Sequence, residues 1–172
     1  MNSRQLSVIG ALAAILLLAA LGVNFWLAEP RHAAAPQAHF KTLSGEAFDT
    51  SDLRGKVVLV NFWATTCVTC VEEMPRMIET EKRYQAQGLE TVAVAMDYDP
   101  PNRVLDYATA HQLPFKVALD IDGAVARAFG NVRLTPTSFL IDRQGRVIRR
   151  YLGEPDFREL RTLVEKELKK TV

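Results

Sequence analysis

The sequence predicts an α/β fold in which a central mixed sheet is covered by helices on both faces. Three observations carry that expectation. Residues 57–62 and 89–96 are apolar runs of strand length without polar alternation, as expected of strands buried on both faces. A stretch with helical apolar spacing follows each run. The last third of the chain changes character, with two strands joined by Asp142-Arg143-Gln144-Gly145 and then an amphipathic helix.

In chain order, the first element is residues 6–27, LSVIGALAAILLLAALGVNFWL, which contain no charged side chain. At ~1.5 Å per residue, a helix of this length spans about 33 Å, enough to cross a bilayer. Phe25 and Trp26 stand at its far end, where an interfacial aromatic anchor belongs. A cleaved signal peptide is the alternative: its apolar core is ordinarily ~7–15 residues, and Ala33, Ala34 and Ala35 offer small residues for cleavage. Arg4 and the free amine precede the span, and Glu29, Arg31 and His32 follow it. The positive-inside tendency therefore keeps residues 1–5 in the cytoplasm and sends the remaining chain across the inner membrane. Residues 28–38, with two prolines, several alanines and no apolar periodicity, read as a linker.

The folded domain is expected over residues 39–172. Short extended segments at 40–43 and 46–48, either side of Ser44-Gly45, suggest a small N-terminal β-hairpin. Residues 52–56 form a turn into the central strand. The helix after the cysteines runs to Gln87, with Met77, Ile78 and Tyr84 facing the core. Pro75 disturbs its early turns and Gly88 ends it. Beyond the second strand, which ends at Asp97, Pro100 and Pro101 open a helix with Val104, Leu105 and Ala108 on helical spacing. Residues 116–119 make a short strand, and Val125, Ala126 and Phe129 a brief helix closed by Gly130. Strands at 137–141 and 146–152 form the late hairpin. The final helix carries Phe157, Leu160, Val164 and Leu168 at intervals of three and four, with Asp156 and Glu159 as a variant capping box.

Charge excludes some functions. With 21 basic and 20 acidic residues the net charge is +1, so nothing points to nucleic acid or an acidic surface as a partner. The only cysteines are Cys67 and Cys70, which excludes the disulfide framework of a small secreted domain. Two cysteines at i and i+3 at a helix start can close a small disulfide that opens without unfolding the domain. Cys67, at the helix N-terminus, is favoured as thiolate and so as the attacking group; Cys70, one turn further in, would resolve the mixed disulfide. Zinc would need about four ligands, and His32, His39 and His111 are all distant in sequence. A purely structural disulfide would close too small a loop to stabilise much.

Taken together, several motifs resemble the thioredoxin fold. They are Phe62-Trp63-Ala64 before the CxxC, Thr135-Pro136-Thr137 about 65 residues later, and Ser138-Phe139-Leu140-Ile141-Asp142-Arg143 with Gly145. The early hairpin, Glu73-Met74-Pro75 and the N-terminal transmembrane helix resemble one branch, the membrane-tethered thiol-disulfide oxidoreductases related to TlpA and ResA. That resemblance implies a protein-disulfide reductase with its catalytic domain in the periplasm. Electrons would come from a membrane thiol transporter, and substrates would be periplasmic disulfide proteins such as apocytochrome c. The redox-active Cys67–Cys70 disulfide would need no bound cofactor or metal.

The same resemblance assigns further residues. Thioredoxins proper place a buried Asp where this chain has Asn61, and the ResA-like branch moves the acid to Glu73, where burial would raise its pKa. The alternative is that Glu73, like Glu72, is a solvated helix acid. Pro136 would be cis, and Thr135 beside it would offer backbone groups to an extended partner. Trp63 either sits beside the active site for substrate or packs in the sheet. Thr66 stands where the family usually has Trp, and Thr69 where it commonly has Pro, which changes the exposure of Cys67 and the loop's stiffness. Copper delivery of the Sco type resembles a wider CxxxC with a histidine. A disulfide-forming oxidant and a non-catalytic thiol-protein or metal-binding module are the competing functions.

Overall fold

The computed structural model describes residues 32–170. The expected membrane span, residues 6–27, lies outside the described residues. A five-stranded sheet organises the remainder, in the order β5-β4-β3-β6-β7. Its strands are β3 (Val57–Trp63), β4 (Leu89–Ala95), β5 (Lys116–Leu119), β6 (Thr137–Ile141) and β7 (Val147–Leu152). β3 pairs parallel with β4 and antiparallel with β6, so the sheet is mixed and β3 is central. Parallel neighbours need crossovers, which the helices supply. α1 (Val68–Tyr84) joins β3 to β4 and α2 (Pro101–Ala110) joins β4 to β5. α3 (Ala124–Ala128) precedes β6, and α4 (Phe157–Leu168) closes the chain. β1 (His39–Lys41) and β2 (Ala47–Asp49) form the separate early hairpin.

Strand alternation divides the core into two faces. Val58, Val60 and Phe62 of β3 join Val92, Val94, Phe139, Phe129 of the turn after α3, and the hairpin rings Phe40 and Phe48. The intervening residues Val57 and Leu59 face Met77 and Tyr84 of α1 and Phe157, Leu160 and Val164 of α4. Trp63, Ala93 and Ala95 continue that second face beneath Met74 and Val104. All seven residues of β3 are buried, the polar Asn61 among them, as expected of a strand covered on both faces.

Several element ends follow from local chemistry. α1 continues through Pro75, which lacks the N–H that an interior residue would donate. A 3₁₀ turn over Gln85–Gln87 then ends at Gly88, whose φ of 106° suits a residue without a Cβ. Asp156 caps α4 by accepting the backbone N–H groups of Arg158 and Glu159, which accounts for half of the expected capping box. The segment read as a linker is docked from Ala33 onward. Ala35 N–H donates to Gly145 O, and Val147 N–H to Ala33 O, both at 2.8 Å. Ala35 is buried against the first core face, because its small side chain lets the backbone lie close to the β6–β7 turn.

Candidate active site

β3, the central strand, carries the site at its carboxyl end. By alternation Asn61 points to the same face as Leu59 and Trp63, the face covered by α1. After Trp63 the chain leaves the sheet and turns, with Cys67 N–H donating to Ala64 O at 3.1 Å. α1 starts at once. Cys67 is its N-cap, in extended geometry, and Cys67 Sγ accepts the Cys70 N–H at 3.2 Å. The first-turn N–H groups and the helix dipole would stabilise negative charge on this sulfur once the disulfide opens.

Cys67 and Cys70 are joined, with their Cα atoms 5.2 Å apart. The two sulfurs differ in access. Cys67 is half-buried, whereas Cys70 is 0% exposed and packs with Trp63 and Met74. A sulfur arriving from solvent therefore meets Cys67. Val68, between the cysteines, is 71% exposed, and Thr66 and Thr69 are also exposed.

Glu73 lies one turn beyond Cys70 on the same side of α1, since i and i+3 share a helix face. It is 0% exposed, while its neighbour Glu72 is exposed. Asn61 Nδ2 donates to Glu73 Oε1 and to Ser138 Oγ, both at 2.9 Å. The β3–β6 register places Ser138 directly opposite Asn61, on the same face. Among the described residues, Glu73 Oε2 and Asn61 Oδ1 are buried without a hydrogen-bond partner. Burial raises the Glu73 carboxyl to about 7; the Asn61 bond opposes this, Glu154 adds to it, and Arg76 opposes it. The group thus sits where it can hold or release a proton near neutrality, one helical turn from the buried cysteine.

The second strand of the site is β6. Phe62 pairs with Thr137, so the chain just before β6 runs alongside the end of β3, where the cysteine loop begins. The Thr135–Pro136 bond there is cis. Pro136 is buried and Thr135 half-buried, next to Leu134, which is 64% exposed. Trp63 is 0% exposed, so it supports Cys70 from within the core and does not line a surface for substrate. The reason is parity: β3 aims it at α1 and Tyr107, whose ring centroid is 5.2 Å away. Thr66, Cys67 and Thr135 remain as the accessible members of the expected set.

Sequence reading missed Ser138 and the loop after β4. Ser138 was legible only as an inward position of β6. Asp99, 3% exposed, accepts Thr65 N–H through Oδ2 and Thr65 O–H through Oδ1, each at 2.6 Å. No signal in the sequence pairs positions 65 and 99.

A cysteine pair that spans a helix N-cap, on a thioredoxin-like sheet with a cis-proline loop beside it, defines a thiol-disulfide oxidoreductase. The chain belongs to the Redoxin family, whose model matches residues 31–164. Among its relatives, the thiol-disulfide oxidoreductase ResA of Geobacillus thermodenitrificans is 38% identical over 154 residues, covering 86% of this chain and 87% of that protein. ResA of Bacillus thuringiensis subsp. konkukian is 36% identical over 132 residues, covering 77% of this chain and 75% of that protein. In structure, a thioredoxin family thiol:disulfide interchange protein of Chlorobium tepidum superposes with a TM-score of 0.73 at 29% identity. That match covers 82% of this chain and 99% of the other.

Proposed function

We propose that this oxidoreductase is a reductant, anchored in the inner membrane through residues 6–27, with its catalytic domain in the periplasm. Its substrates are periplasmic proteins with disulfides, apocytochrome c among them, and its electrons come from a membrane thiol transporter. The observation that carries the reading is the asymmetric pair, an accessible Cys67 at a helix N-cap and a sealed Cys70 one turn from a buried acid.

In the reduced protein the Cys67 thiolate attacks a substrate disulfide. A Cys67–substrate S–S bond forms, and the other substrate sulfur leaves and takes a proton. Cys70 then gives up its proton to Glu73 and attacks Cys67 Sγ. The second substrate sulfur leaves and takes its proton from solvent, and the Cys67–Cys70 disulfide remains, two electrons having passed to the substrate. The donor reverses these steps, with Glu73 returning the proton to Cys70. Thr66 and Thr135 hold the substrate segment beside Cys67, with the buried Pro136 backing Thr135.

Two measurements test this. A Cys70→Ala variant should accumulate mixed disulfides through Cys67 with periplasmic proteins, and the absence of any trapped partner would favour the binding-module alternative. The reduction potential of the pair should be low. A value well above about −200 mV would mark a disulfide-forming oxidant instead.

A further inference from the structure

The loop between β4 and α2, Met-Asp-Tyr-Asp-Pro over residues 96–100, touches both accessible parts of the site. Its backbone follows the end of β3, with Met96 N–H donating to Trp63 O at 3.1 Å, and it turns back through Asp99 N–H to Met96 O at 3.0 Å. From that turn, the buried Asp99 holds Thr65 by both its N–H and its hydroxyl, two residues before Cys67. The adjacent Tyr98 points the other way. Its hydroxyl lies 3.3 Å from Thr135 Oγ1, while the side chain remains largely in solvent, the residue being 55% exposed.

We propose that this loop is a clasp joining the Cys67 loop to the Thr135 loop, with Asp99 as a positioning residue and Tyr98 as a specificity-determining contact for the partner. The inference rests on the reading that Thr135 and Cys67 face the substrate.

Asp99 acts through Thr65. The stretch 64–67 must turn sharply to bring Cys67 to the helix start, and the backbone bond that closes it, Cys67 N–H to Ala64 O, makes no use of the Thr65 N–H. A buried carboxylate is well suited to hold it, because both of its oxygens accept and bonds to a charged acceptor are the stronger kind. Without that hold the turn could rotate and Cys67 would meet a disulfide less often in line with its S–S axis.

Tyr98 acts on the partner. It, Val68 and Leu134 are three of the six large apolar side chains that stand exposed among the described residues. Val68 opens α1 directly after Cys67, Leu134 precedes Thr135, and the Tyr98 hydroxyl reaches Thr135. Exposed apolar side chains on the Cys67 and Thr135 segments and on the clasp itself fit an extended substrate segment with an aromatic or aliphatic side chain beside its cysteine. A tyrosine is well suited to that role, offering a flat apolar ring at little entropic cost and a hydroxyl that tethers it to the opposite loop.

The experiment uses the reduced full-length protein and two oxidants, hydroxyethyl disulfide and a cysteine-disulfide peptide with Phe and Leu flanking the cysteines. Asp99→Ala should lower kcat/KM for both oxidants by the same factor, about tenfold, as expected for a lost bond to a charged acceptor. Asp99→Asn should restore most of it, since the amide oxygen can accept the Thr65 N–H and the amide N–H can donate to Thr65 Oγ. Tyr98→Ala should raise KM for the peptide, so that the ratio of peptide to small-disulfide kcat/KM falls about fivefold to tenfold, the worth of one well-packed aromatic contact. Tyr98→Phe, which keeps the ring and loses the tether to Thr135, should fall between the wild-type and Tyr98→Ala ratios.

Equal loss in Asp99→Ala and Asp99→Asn would overturn the positioning role. An unchanged ratio in Tyr98→Ala would overturn the contact. Should the wild-type protein prove an oxidant, the same variants are assayed in the opposite direction, against the dithiol form of the peptide. The clasp then stands or falls on the same ratios, independently of the direction of electron flow.

Discussion

Glu73 and Glu81 are both buried carboxyls on α1, eight residues and about 12 Å apart along the helix. Burial is the largest influence on each and raises both pKa values. Their surroundings differ. Glu81 accepts the Thr91 hydroxyl at 2.7 Å, lies near the Lys56 and Glu90 charges, and stands eleven residues along α1 from Cys70. Glu73 lies a turn from the disulfide and keeps one oxygen without a partner. A perturbed acid is therefore not by itself a catalytic one. Position beside a reacting atom, together with an oxygen free to take a proton, separates the two.

The sharpest break would come from exchange kinetics. Glu73→Gln should slow reduction of the Cys67–Cys70 disulfide by excess dithiothreitol about 100-fold, within the usual range for losing a general acid or base. It should also remove an inflection near pH 7, where the Glu73 carboxyl titrates. Glu81→Gln should leave both rate and inflection in place. Matching losses in the two variants would erase the distinction.

Stability gives a smaller effect. Glu73 titrates at about 7 when folded, against 4.5 for the unperturbed group, so the folded disulfide form binds more protons between those values. The Glu73 contribution to stability should therefore be full below about pH 4.5, fall as pH rises, and be lost above 7. At ~1.4 kcal/mol per pKa unit the loss is on the order of 3 kcal/mol. Urea unfolding of the oxidised protein at pH 5 and pH 8 should show it, and Glu73→Gln should flatten the difference. Glu81 acts in the same direction, so some slope should remain in that variant.

The finest test concerns Asn61. Its hydrogen bond lowers the Glu73 pKa, so Asn61→Ala should move the Glu73 carboxyl band upward from about 7 in an infrared titration. A downward shift would mean that the Asn61 bond does not hold the ionised form.

Much of this molecule was legible in the chain. The apolar residues on both faces of β3 announced a strand covered on both sides, and Gly88 after a helical spacing marked where α1 gives way. Cys67 and Cys70 could be ranked as outer and inner sulfurs because three residues make nearly one helical turn. The docking of Ala33 and Ala35 was not legible. An alanine-rich stretch with prolines carries no periodicity, and its hold on the β6–β7 turn uses backbone groups, which every residue has. Trp63 was ambiguous for a related reason: the residue type suits a binding surface and a core equally, and strand parity alone decided between them.

Local rules along the sequence determine the redox pair, the strand that leads to it and the helix that caps it, because these depend on residues within one or two turns of each other. The burial of Glu73 against Asn61 and Ser138, and the reach of residues 98 and 99 to Thr135 and Thr65, were decided only by the tertiary structure. Asn61 and Ser138 are 77 positions apart, and Thr65 and Asp99 are 34 apart. Such pairs are set by how strands register across a sheet, and register is a property of the whole packed core rather than of any stretch of chain.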